Sequence, residues 1–389
     1  MLSFPTPAAT FDYLRSPAGG SLMIRESDQY ALVYYKKGNT DPRASTFRST
    51  VWDMQQNRPL YIAPARMLPL DALDPDATGF TTEEFIDGFM INMFWSGPRD
   101  GTTPEASASA WKLTTRTQLD ASGHFYSKRS FAELFWEAFA GRGLTVEDLD
   151  KGMGYSWVVQ HPEERVVVAP AYGIPTLTLV NVATLSPDAV LSDKLRTLQP
   201  ATYPLTTVAA VREFVFTEGR RLGHQFQGVV VTHAGQRYKM RSSQYEAARV
   251  LRGNQPKRPY AWLEHWGAGT LPAYLRLFPE EACEAEEMVG RFKECTQEAY
   301  DLYVKVYRER AFPLKEAPQK YRKLLWEARQ DGTCAYFPNM RNFMNRQDTA
   351  RKLWLVNYEI RYAATDLTGA DASGSAADVS GADVSGAYV

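Results

Sequence analysis

Lys239 and Arg241, in the segment Arg237-Tyr-Lys-Met-Arg241, stand two residues apart. On an extended strand such positions share one side at about 7 Å, so both can face a single anionic group. Arg48, at the end of Thr40-Asp-Pro-Arg-Ala-Ser-Thr-Phe-Arg48, and Arg116, in Thr114-Thr-Arg-Thr117, are further candidate cations. The acidic counterpart is Glu83-Glu-Phe-Ile-Asp87-Gly88-Phe-Met-Ile91, where Asp-Gly signals a tight turn between two strands. Two more segments combine polar and strand-forming residues: Tyr155-Ser-Trp-Val-Val-Gln160-His161-Pro-Glu-Glu-Arg165, and Gln227-Gly-Val-Val-Val231. Five histidines and three cysteines (Cys283, Cys295, Cys334) form no credible transition-metal set. The cysteines read as free thiols of a reducing compartment. His161 and His233 lie beside these segments, with a structural role the plainer reading. No Walker-type loop is present, and Gly141-Arg-Gly143 reads as a helix C-cap and turn.

The elements that must position these residues change along the chain. From about residue 20 to 250, short β-rich runs alternate with turn signals: Tyr30–Tyr35, Phe89–Trp95, Arg165–Ala169, Thr176–Val182 and Gly228–Thr232. One amphipathic helix stands among them, Ser130 to Phe139, with Phe131, Leu134, Phe135 and Ala138 on one face. Past Pro279 the composition favours helices, over Glu280–Ala311, Lys320–Gln330 and Met340–Tyr362. The spacing predicts an α+β domain with antiparallel sheets over 1–255, an all-helical domain over 256–365, and a disordered Ala/Ser/Gly/Asp-rich tail over 366–389. A formal net charge of −1 gives no global attraction to polyanions, so any such contact must come from a local basic groove. No apolar run approaches the roughly 18 residues needed to cross a bilayer, and the N-terminus lacks a secretory pattern. No membrane contact is expected, and the expected location is intracellular, whether cytoplasmic, nuclear or virus-encoded.

Taken in order and approximate spacing, these segments resemble the RNA ligases typified by the phage tRNA-repair enzyme, within the covalent nucleotidyltransferase superfamily. In that family an Arg-Gly element precedes Lys-x-Asp-Gly, a strand runs into a Pro-x-Asn-Arg turn, and Glu-Gly-x-Val is followed by Lys-x-Lys-Ser. The resemblance spans about residues 30 to 250 and implies an antiparallel-sheet nucleotidyltransferase domain, ATP-grasp-like, with a helical accessory domain behind it. It implies that a lysine attacks the α-phosphate of ATP, with Mg2+, and passes the nucleotide to an RNA 5′-phosphate. Asp87 and Gly88 match the nucleophile motif, and Arg48 matches the upstream arginine, with Ser49 in place of glycine. Lys239 and Arg241 match the two late cations, and Arg116 falls near a nucleotide-proximal segment.

Three positions depart from the family pattern. Phe85 stands where the nucleophilic lysine belongs, and its side chain has no lone pair. Val158 falls at an acidic position, with Gln160 two residues later facing the same way. Gln227 replaces a glutamate and loses the charge that favours a divalent metal. The resemblance therefore implies a degenerate RNA ligase-like protein that binds a nucleotide or a nucleic-acid end. Two alternatives stand beside it. One is an active ligase using ATP and Mg2+ through a relocated lysine, for which Lys112 is the first candidate; the other is a structural or partner-binding module.

Overall fold

Alternation of side chains across extended backbone organises three sheets. The computed structural model describes residues 6–27, 29–97 and 110–360, and the chain divides into two compact units at Gly253 and Asn254. In the first unit, an antiparallel sheet runs in chain order through β1 (Met23–Glu26), β2 (Tyr30–Tyr34), β3 (Thr50–Asp53) and β4 (Arg58–Ile62). A five-stranded sheet contains β5 (Leu68–Pro69), β6 (Thr81–Glu84), β11 (Thr202–Tyr203), β12 (Gly228–His233) and β13 (Gln236–Arg241), in the order β11-β6-β12-β13-β5. All its pairs are antiparallel except β13 with β5. The remaining sheet, order β10-β9-β7-β8, is built from β7 (Phe89–Trp95), β8 (Trp111–Thr114), β9 (Met153–Gln160) and β10 (Thr176–Thr184).

The helices of this unit are α1 (Pro7–Arg15), α2 (Phe131–Gly141), α3 (Asp193–Arg196), α4 (Val208–Leu222) and α5 (Ser243–Arg252). On the β7 sheet, Phe89, Ile91, Met93, Tyr155, Trp157 and Val159 pack against Phe131, Leu134, Phe135 and Ala138 of α2. Helix α2 starts on a reciprocal capping box between Ser130 and Glu133. On the five-stranded sheet, Val229, Val231, Tyr238 and Met240 pack against Val208, Val211 and Val215 of α4. Each sheet thus spends one face on a helix and leaves the other for Val158, Val230, Lys239 and their neighbours.

Two local expectations are corrected. Arg165–Ala169 is not a strand: the amides of Val167 and Val168 donate to the Asp87 carboxylate, at 2.9 and 2.7 Å, instead of to a ladder partner. The Asp87-Gly88 turn does not close a hairpin either. It carries the chain from β6 in one sheet to β7 in another. Helix α4, whose apolar spacing at 208, 211 and 215 is helical, adds to the one helix expected before residue 250.

The second unit, from Asn254, contains α6 (Arg258–Gly267), α7 (Leu271–Leu277), α8 (Ala282–Tyr303), α9 (Gln319–Asp331), α10 (Phe337–Arg346) and α11 (Thr349–Val356), with no strand among its described residues. Helix α8 runs on into a π-helical turn, Val304–Arg308. The expected tail, 366–389, lies outside the described residues. No helix among the described residues is long and apolar enough to cross a membrane.

Candidate anion site

Phe85 follows β6 and is 3% exposed, packed with Met67 and Val230. Its amide donates to the Gly228 carbonyl at 3.0 Å, which holds the segment against β12. Together with Met90 and Val158 from the facing sheet, these side chains close a cleft whose charged lining comprises Arg48, Glu83, Glu84 and Arg237. About 10 Å3 of free space remains, which is room for one water molecule. Asp87 does not face this space as a free carboxylate. One oxygen takes the two amides of Val167 and Val168, and the other accepts the Tyr245 hydroxyl at 2.6 Å. Burial and the adjoining Asp87 push the Tyr245 hydroxyl far above its ordinary range. Gly88 has φ +142°, and a Cβ there would lie 2.3 Å from the Val159 carbonyl oxygen, so the passage between sheets requires glycine.

Beside the cleft, β13 presents Arg237, Lys239 and Arg241 on the face opposite Tyr238 and Met240. Arg237 donates to Glu83 at 3.1 Å, and burial raises the Glu83 carboxyl despite that cation. Arg241 pairs with Glu246 of α5 at 3.1 Å, and its guanidinium lies over the rings of Phe85, 5.1 Å from the centroid, and Tyr245, 5.9 Å. The ammonium of Lys239 makes no hydrogen bond or ion pair among the described residues. Burial, then Arg241, Arg48 and Arg249, bring it down to about 8. Arg48 is 8% exposed, and its guanidinium also has no hydrogen-bond or ion-pair partner among the described residues. Burial lowers it to about 10, with Arg116 and Arg237 adding to the effect. Behind it stands a buried polar network in which Asn92 accepts from Tyr61 at 3.0 Å and donates to Ser49 at 3.3 Å, while the Tyr61 hydroxyl also meets Ser156.

The other candidates fall as follows. Arg116 is buried, donates to the Tyr35 carbonyl at 2.7 Å and lies 4.7 Å over the Tyr35 ring; its Nε has no hydrogen-bond partner. Lys112 is exposed on β8 opposite Phe94 and does not line the cleft. Gln160 is held across the ladder by Thr176, whose hydroxyl donates to it at 3.1 Å. Gln227 is 2% exposed with neither amide atom bonded. Because Phe226 is extended and belongs to the apolar layer under α4, Gln227 projects to the opposite side. His161 caps the turn Pro162–Glu164 by accepting the Glu163 amide at 3.2 Å, and burial lowers its ring. Arg237 and Arg249 were not singled out by sequence. Arg237 carried a signal, as the third cation at two-residue spacing with Lys239 and Arg241.

The donors do not suit a lysyl-nucleotide centre with a divalent metal. Phe85 and Val158 offer no ligand atoms, Gln227 has no charge, and Asp87 is saturated by two amides and a phenol. Among the described residues no three His, Cys, Asp or Glu side chains gather to hold a metal ion. What the arrangement can do is neutralise an oxyanion, because its cations outnumber the carboxylates paired with them.

No protein-family model matches this chain, and no curated protein does. Two solved structures of an archaeal ATP-dependent RNA ligase are loosely similar. Form 2 shares 15% identity at TM-score 0.38, over 75% of this chain and 80% of that one. Form 1 shares 14% identity at TM-score 0.37, over 92% and 88%. At this level the likeness concerns fold alone.

Proposed function

We propose that this chain is an RNA ligase-like protein that binds a nucleotide or a nucleic-acid end through Arg48, Lys239 and Arg241, without forming a lysyl-nucleotide intermediate. The observation that carries this reading is the pairing of unneutralised, half-buried and buried cations with a cleft closed by Phe85. Leaving a guanidinium such as that of Arg48 out of water without a partner is costly unless an anion completes the site. Incubation with ATP and Mg2+ followed by intact-mass measurement should show unmodified protein, and Lys239→Ala or Arg241→Ala should weaken binding of a 5′-phosphorylated oligoribonucleotide about tenfold, or 1.4 kcal/mol. A nucleotide adduct on any lysine would count against it.

One observation favours a second reading, in which the chain is an active nucleotidyltransferase with a relocated lysine. Lys239, brought down to about 8, has an appreciable neutral fraction near pH 7.5 to 8 and stands among phosphate-neutralising cations. An adduct mapped to Lys239 would establish it.

A further inference from the structure

Recognition of a nucleobase needs a slot for the ring and polar groups aimed at its edge. This cleft offers neither. Its free space is one water molecule, about 10 Å3, and its walls are Met67, Phe85, Met90, Val158 and Val230. The charged residues that line it are Arg48, Glu84 and the mutually paired Glu83 and Arg237. Recognition of a phosphate, by contrast, is built in. Arg48 is nine-tenths buried without a hydrogen-bond or ion-pair partner among the described residues. Arg241 is held in one orientation by Glu246 and by the faces of Phe85 and Tyr245. Lys239 lies within electrostatic reach of both. Phe85 therefore has two roles at once: its ring helps to fill the cleft, and its face steadies the Arg241 guanidinium.

We propose that the site reads a terminal phosphate, whether inorganic phosphate or a phosphomonoester at the end of a polynucleotide, and is indifferent to the base attached to it. This rests on the anion-binding reading above and narrows its ligand. The phosphate dianion is held by Lys239, Arg241 and Arg48, and the nucleoside it carries stays in solvent.

The test is calorimetric titration of the full chain at fixed ionic strength. Ligands are inorganic phosphate, tripolyphosphate, ribose 5-phosphate, AMP, the four ribonucleoside triphosphates, and one oligoribonucleotide with either a 5′-phosphate or a 5′-hydroxyl. The expected result is that the four triphosphates and tripolyphosphate agree within about threefold, as do AMP and ribose 5-phosphate, while the 5′-hydroxyl oligonucleotide binds at least about tenfold more weakly than its phosphorylated form. Inorganic phosphate matching the phosphorylated oligonucleotide identifies the free anion as the ligand; a tighter oligonucleotide identifies the polymer end. Phe85→Ala should open the slot and introduce about tenfold discrimination among bases, and Phe85→Leu, which keeps the slot filled, should not. ATP binding to the wild type more than about tenfold tighter than tripolyphosphate overturns the base-blind site but leaves the anion-binding reading standing. Failure of every phosphate ligand to bind removes both.

Discussion

Burial and the positive neighbours Arg241, Arg48 and Arg249 draw the ammonium of Lys239 down to about 8, against 10.5 for a free side chain. Between those two values the unfolded chain holds the proton and the folded chain has lost it, so this residue makes stability rise with pH from about 8 to 10.5. Its charged form is therefore a cost at neutral pH. The charged groups acting on it are Arg241 on its own strand, Arg48 ahead of β3, and Arg249 and Glu246 on α5. Lys239→Met should raise unfolding stability at pH 7 by about 1 kcal/mol and flatten its rise at alkaline pH, while phosphate binding falls. Urea unfolding between pH 7 and 10 checks the first part. In the wild type, phosphate affinity should fall as pH rises through about 8, because the ligand requires the protonated amine. Asp87 acts differently, joining the 167–168 segment and α5 to the start of β7. Asp87→Ala strands a buried amide, a part-buried amide and a buried phenol, a loss of about 3 kcal/mol measurable by the same unfolding curves.

Between β6 and β7 the chain crosses from one sheet to another in four residues, and the geometry of Gly88 makes this possible. Gly88→Ala combines a positive φ with a Cβ placed 2.3 Å from a backbone oxygen, so it should cost more than about 2 kcal/mol and loosen the packing of Phe85. A fall in the urea midpoint, with weaker phosphate binding at low denaturant, is the expected outcome. An Asp-Gly pair is a strong hairpin signal within a short window. It was misleading here because the side chain of Asp87 is committed to the 167–168 amides, eighty residues away. The same contact explains why Arg165-Val-Val-Val-Ala169, with a strand's composition, is not a strand. Composition reports how well side chains suit a pleated surface, and here the backbone donors were claimed elsewhere.

A net charge of −1 conceals a local excess of cations, because every residue of the cluster lies before Gly253 while the balancing acids are spread along the chain. Binding should therefore weaken steeply with salt, with log K linear in log salt concentration for a phosphorylated oligonucleotide. A fragment ending at Gly253 should keep inorganic phosphate affinity within about threefold, measured by the same titration. Loss of binding in a folded fragment would place an essential contributor beyond Gly253.

The sequence by itself determined the antiparallel α+β character of the first part, the helical character of the second, and the strand that sets Lys239 and Arg241 on one side, because period-two and period-3.6 patterns are local properties. It also supplied the expectation that Phe85, Val158 and Gln227 lack the atoms for lysyl-nucleotide chemistry, since that follows from side-chain composition alone. Only the tertiary structure decided that Phe85 closes the cleft, that Asp87 is used up as a structural tie, and that Arg48 and Lys239 meet no hydrogen-bond or ion-pair partner among the described residues. Occupancy, burial and neutralisation depend on residues brought together from distant parts of the chain, and no local pattern records them.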